Sequence, residues 1–233
     1  MVWGIMNPGI GNYGPDGDFP GWKERLGAYY DEHLPAEQKA LFGHGGGLPR
    51  DDYIYYVGDK FSMFPGEKYM HMFVSPIEPH EVPPVFQMPK SYVLASLITL
   101  KNGYWAVDEE LKAIIERLEP GVHQFYHVPF MAPRGKLYPK SYYIMLVAHR
   151  FNSFSPEGSE EGSYELNGQR YRPFLYRSEN IPKLAFKRSM FGPAHVWKET
   201  AIAMLELLIS DELQAECKKA GLRLPRNYKM REV

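Results

Sequence analysis

The apolar positions of this chain switch between a two-residue and a three-to-four-residue period, and each switch marks an element. Leu111, Ile114, Ile115 and Leu118 recur at helical spacing with Lys112, Glu116 and Arg117 opposite them, which predicts an amphipathic helix over 109–118 lying on a sheet. That helix belongs to a cassette written twice, about a hundred residues apart. The copies are Val107-Asp108-Glu109-Glu110-Leu111 with a stop at Gly121, and Ile209-Ser210-Asp211-Glu212-Leu213 with a stop at Gly221. In each, a β-branched residue precedes an N-cap type, two acids load the first turn where they complement the helix dipole, and glycine ends the run.

Elsewhere the alternation is shorter. Strands are expected at Val2 to Met6, Tyr53 to Val57, Lys68 to Val74, Tyr92 to Leu100, Val122 to Val128, Tyr142 to His149 and Arg170 to Arg172, with short ones at Lys183 to Phe186 and His195 to Trp197. Asn102-Gly103 is a turn pair that closes a hairpin into Tyr104 to Val107, and Pro65-Gly66 a turn between two strands. Helices are expected from Pro20 to His33, from Pro35 through Leu41 and from Asp211 to Ala220; Thr200 to Leu208 reads as helix or buried strand. Gly43 to Gly47, Pro133 to Lys140 and the acidic stretch Ser155 to Gly168 read as loops. The five prolines from Pro76 to Pro89 admit neither helix nor central strand, leaving a linker or wrapping arm. Together these elements predict the α+β class: a mixed or antiparallel sheet with a few short capped helices packed on it, after a loop-rich N-terminal region. The expected division is 1–90 and 91–233.

Composition adds limits. The chain has 233 residues and 44% hydrophobic content, enough for a real core. The longest uncharged apolar stretch, Ser91 to Leu100, is too short to span a bilayer, and the start has no basic leader, so a soluble cytoplasmic protein with no membrane partner is expected. A single cysteine, Cys217, excludes an internal disulfide and a cysteine-based zinc site. The net charge of −1 conceals an asymmetry: residues 1–110 carry 8 Lys/Arg against 15 Asp/Glu, and residues 111–233 carry 19 against 13. That polarity either steers a charged partner or draws the two halves together. No Lys/Arg run is dense enough to make nucleic acid the main partner.

Candidate chemistry fails on context. Gly9-x-Gly11-x-x-Gly14 matches a dinucleotide fingerprint, but Pro15, Asp16, Gly17, Asp18 and Pro20 follow where a phosphate-binding helix N-terminus is needed. His44-Gly45-Gly46-Gly47 is similar to an esterase oxyanion loop, yet the chain has no G-x-S-x-G serine elbow. A small hydrolase or modifying enzyme using His44 and that glycine loop is the alternative reading. His123 and His127 lie on a strand, roughly 13 Å apart at about 3.3 Å per residue, so they cannot share one ion and read as structural histidines. Cys217 lacks a basic environment to activate it, and Asp16, Asp18, Asp51 and Asp52 lack calcium-loop spacing and read as turn residues. No catalytic residue, cofactor or metal ligand is assigned.

The run Asp108-Glu109-Glu110-Leu111 through Glu119-Pro120-Gly121-Val122-His123-Gln124-Phe125, followed by Ile209-Ser210-Asp211-Glu212-Leu213 ending at Ala220-Gly221-Leu222, resembles the Imm11 (DUF1629-type) immunity proteins found beside bacterial polymorphic toxins and secretion effectors. The similarity covers roughly Tyr92 to Leu224. No family motif stands out in the first ninety residues, and Arg223-Leu224-Pro225 replaces the usual glycine. The resemblance implies a protein that binds and neutralises a cognate toxin stoichiometrically, with no active site of its own. Such a protein needs a rigid complementary surface, which seventeen tyrosines would suit as well as they suit a sheet-rich core. Glu157, Glu160, Glu161, Tyr164 and Glu165 of the acidic loop are the candidate partner contacts, because acids can occupy a cleft built for an anion.

Overall fold

A computed structural model describes residues 1–5, 14–43, 47–61, 76–168, 170–173, 178–203, 205 and 207–233. The first element is strand β1 (Val2–Ile5), followed by helices α1 (Trp22–Glu32), α2 (Ala36–Lys39) and α3 (Pro49–Phe61). The expected strand at Tyr53 to Val57 is thus the middle of a helix. Its buried positions, Asp52, Tyr53, Tyr56, Val57, Lys60 and Phe61, recur at helical spacing. Pro49 fits the first helical turn, where its missing N–H is not needed, and Asp52 Oδ2 accepts from Gly43 N at 2.9 Å. A one-sided apolar stripe packed on α1 outweighs the strand preference of aromatic and β-branched residues. The expected turn at Pro65-Gly66 and strand at Lys68 to Val74 lie outside the described residues.

The proline-rich stretch is no free linker. It carries strand β2 (Phe86–Gln87), with Phe86 and Met88 fully buried. Next come β3 (Leu97–Thr99), β4 (Trp105–Asp108), α4 (Glu109–Leu118), β5 (Gln124–Val128), β6 (Phe130–Ala132), β7 (Lys136–Leu137) and β8 (Tyr142–Leu146). The expected loop from Pro133 to Lys140 therefore includes a short strand, and the strand foreseen from Tyr92 shrinks to three residues. β3 and β4 form the foreseen hairpin, with Leu97 opposite Val107 and Thr99 opposite Trp105. Asn102 and Gly103 sit at its turn with φ of 65° and 75°, a left-handed pair that asparagine and glycine adopt most readily.

The remaining elements are β9 (Arg150–Phe151), β10 (Tyr164–Asn167), β11 (Arg170–Pro173), β12 (Ala185–Phe186), α5 (Arg188–Phe191), β13 (Val196–Glu199), β14 (Leu207–Ser210), α6 (Asp211–Lys219) and β15 (Asn227–Glu232). The end of the acidic stretch is thus strand β10, which pairs with β11 as a ribbon because Glu165 faces Arg172 and Leu166 faces Tyr171. The ambiguous stretch from Thr200 ends in strand β14.

Both cassettes fold as a strand running directly into a capped helix, β4 into α4 and β14 into α6. Asp108 Oδ1 accepts from Leu111 N at 3.0 Å, and Ser210 Oγ accepts from Leu213 N at 3.1 Å. Gly121 and Gly221 follow the two helices with φ of 71° and 69°.

The sheets follow the order β3-β4-β8-β5, all antiparallel, and β12-β15-β1-β14-β13-β9, which is mixed; β2-β6-β7 and the β10-β11 ribbon are smaller. Alternation along β4 assigns its two faces. Tyr104 and Ala106 join a core with α1 and α3, while Trp105 and Val107 join a second core with α4, α6, Ile5 and Ile209. The other face of the six-stranded sheet, with Val2, Trp197, Leu208 and Met230, builds the third core. β1 lies between β14 and β15, so the start of the chain completes a sheet made by its end. The architecture is α+β, and no helix among the described residues is long and apolar enough to cross a membrane.

Candidate functional site

The acidic stretch forms one patch on the third core, and its charges are largely answered within the chain. Glu157 Oε1 lies 2.5 Å from Lys187 Nζ, and Glu160 Oε2 3.7 Å from Lys183 Nζ. Glu165 pairs with Arg172 across the ribbon. The Lys187 ammonium holds the Glu157 carboxyl below the ordinary glutamate range. Glu161 is exposed and has no partner among the described residues. Tyr164 is half-buried, packed against Phe154 and Tyr171 with centroids 5.2 and 5.5 Å away, and its hydroxyl donates to Pro156 O. Glu157 and Glu160 remain exposed despite their ion pairs, and Glu161 is exposed without one among the described residues.

A second constellation, not foreseen, surrounds Glu119 at the end of α4. Oε2 accepts from His123 Nε2 at 2.8 Å and from Val196 N at 3.0 Å; Oε1 accepts from His195 N at 3.0 Å and faces His149 Nε2 at 3.3 Å. Ala148 N donates to His123 Nδ1 at 3.2 Å, which leaves Nε2 to donate to the carboxylate. Burial alone would raise Glu119, but the His123 hydrogen bond, the His195 N–H and the nearby imidazoles prevail and lower its pKa. His195 Nδ1 in turn contacts Ser210 Oγ at 2.8 Å, so one buried carboxylate ties the first cassette's end to the second cassette's cap. The sequence signal was a glutamate four residues before a histidine across Pro-Gly. His127, by contrast, is exposed and packs on Tyr143.

The other residues singled out from sequence have local duties. Asp18 pairs with Lys101 at 2.8 Å and accepts from Phe19 N, Asp16 accepts from the Tyr92 hydroxyl at 2.9 Å, and Asp51 and Asp52 start α3. Cys217 is buried between α6 and α4, and burial lifts its thiol to about 12. Glu216 beside it is not simply a solvent charge, since it pairs with Arg117 of α4 at 2.6 Å. His44, Gly45 and Gly46 lie outside the described residues, as do Gly9 and Gly11.

The N-terminal half holds a cleft of about 530 Å³ between α1, α2, α3 and the segment 78–81. Tyr29 stacks on His80 at 3.5 Å, and Tyr53 Oη lies 2.9 Å from His80 Nε2. Burial keeps the His80 imidazole below its ordinary pKa and pushes the Tyr53 phenol above its own. At the floor Lys60 Nζ bonds both oxygens of Glu81 at 2.6 and 2.8 Å, each side chain only 4% exposed. Sequence reading missed this cleft because its walls come from four separated segments.

No curated protein matches the chain. A family model described as "Immunity protein family (Imm11)" does, over residues 15–231. Its span takes in α1, α3 and the cleft as well as the two cassettes, so the N-terminal residues that showed no motif of their own are part of the same family unit. With all but the ends of the sequence matched, the chain belongs to the Imm11 immunity protein family.

Proposed function

We propose that the protein neutralises one cognate bacterial toxin, of a polymorphic-toxin or type VI secretion system, by binding it stoichiometrically in the cytoplasm. The observation that carries this reading is the family match across 15–231. The protein acts by surface fit, without making or breaking a bond. Its ordered aromatic cores support that reading, since a preorganised surface spends little binding energy on ordering itself. Glu160 and Glu161, with Glu157, Tyr164 and Glu165 around them, form one contact with the toxin.

Co-expression with a candidate cognate toxin tests the function. Protection should rise with the amount of this protein and saturate at equimolar complex, and His44→Ala should protect as well as wild type. Protection at substoichiometric levels, lost on replacing His44, would instead establish an enzyme. Reversing Glu160 and Glu161 to lysine should weaken the complex about tenfold, from two like-charge contacts of roughly 0.7 kcal/mol each. Unchanged affinity removes this patch from the interface.

A further inference from the structure

The cleft beside α3 has a composition that the family reading leaves unused. Its walls are aromatic: Tyr29 stacked on His80, with Tyr53, Tyr56 and Phe42 beside them. Its floor is electrically closed, because the Lys60 ammonium is held by both Glu81 oxygens and lies 4.8 Å from the Tyr56 ring centroid. Its mouth is open in two ways. Glu78 is exposed with no side-chain partner among the described residues, and Leu41 is 56% exposed at the lip.

An unpaired carboxylate over electron-rich rings, with an apolar lip, is complementary to a cation on an apolar stem. His80, kept below its ordinary pKa by burial, adds little opposing charge near neutral pH. The surrounding half of the chain adds its own bias, with 15 acids against 8 bases in residues 1–110. A guanidinium suits the site better than an ammonium, since its plane stacks on tyrosine and its fork can grip Glu78. The volume of about 530 Å³ exceeds one arginine side chain, so flanking residues of an extended segment would enter with it.

We propose that this cleft receives an arginine-bearing segment of the toxin, with Glu78 and the Tyr29–His80 stack as its principal contacts. This rests on the immunity reading for the identity of the partner but on the cleft alone for the chemistry it recognises. A buried arginine anchor of this kind would carry a large share of the binding energy.

Two independent arms test it. In the first, the full chain is titrated with acetyl-Gly-Arg-Gly-amide and with the same peptide carrying neutral citrulline, followed by NMR. The arginine peptide should bind at least about fivefold more tightly and shift the Tyr29, Tyr53 and His80 resonances, and Glu78→Gln should remove that preference. Equal binding of the two peptides, or no shift at those residues, overturns the proposal. In the second arm, Glu78→Lys and Tyr29→Leu, both verified as folded by circular dichroism, should weaken the toxin complex about tenfold or more. Full affinity in both variants places the toxin elsewhere and also overturns the proposal, while leaving the immunity function intact. If wild type itself fails to protect against the toxin, the immunity reading fails, and the peptide arm alone decides what the cleft recognises.

Discussion

At the scale of single residues, Glu119 is the group whose loss should be felt most. Both its oxygens accept from N–H donors in a buried setting, so Glu119→Gln would turn an amide N–H₂ toward a backbone N–H. A destabilisation of about 2–4 kcal/mol in denaturant unfolding is expected at pH 7. The pH dependence has a definite sign. Because the folded pKa lies below 4.5, the carboxylate's contribution is full above that value and is lost as the pH falls through the folded pKa. The gap between wild type and Glu119→Gln should therefore narrow below about pH 4.5, and a gap that stays constant to pH 3 would refute the assignment. Glu199 has the opposite sign: burial outweighs its hydrogen bonds from Ser153 and raises its pKa, so its favourable share is present in acid and fades as the pH rises. Cys217, with its thiol at about 12, should resist iodoacetamide at pH 8 until the protein is unfolded, as mass spectrometry would show.

At the scale of elements, the two cassettes are the same device used twice. Each N-cap side chain satisfies a backbone N–H that would otherwise end the helix unpaired. Ser210→Ala and Asp108→Ala should each cost about 1 kcal/mol in urea unfolding. Since α4 and α6 pack together and are joined by Arg117 and Glu216, the double variant should depart from additivity. These elements were legible in the sequence because their hydrogen bonds join residues three apart. The same local logic made the Asn102-Gly103 hairpin readable. It failed at α3, where aromatic residues with strand preference are held as a helix by packing on α1, a contact no short window contains.

For the whole molecule, the placement of β1 has the widest consequence. It sits between β14 and β15, so residues 91–233 alone would leave a gap in the centre of the six-stranded sheet and expose Ile5's and Val2's partners in two cores. That fragment, expressed alone, should lack a cooperative thermal transition; a two-state melt would establish it as an independent domain. The opposite charges of the two halves act at the same scale. Part of the attraction is satisfied within the protein, as in Lys140 with Asp108 and Glu110, while Glu78 and Glu161 are left facing outward.

What the sequence determined alone was local and periodic: the capped cassettes, the hairpin turn and the α+β class. Each rests on hydrogen bonds or side-chain spacing within about ten residues. Only the tertiary structure decided that Tyr53 belongs to a helix, that the first strand closes the last sheet, that Glu119 joins three histidines, and that four distant segments enclose an aromatic cleft. Those features come from contacts between residues far apart in the chain, whose energies appear only once the cores have assembled.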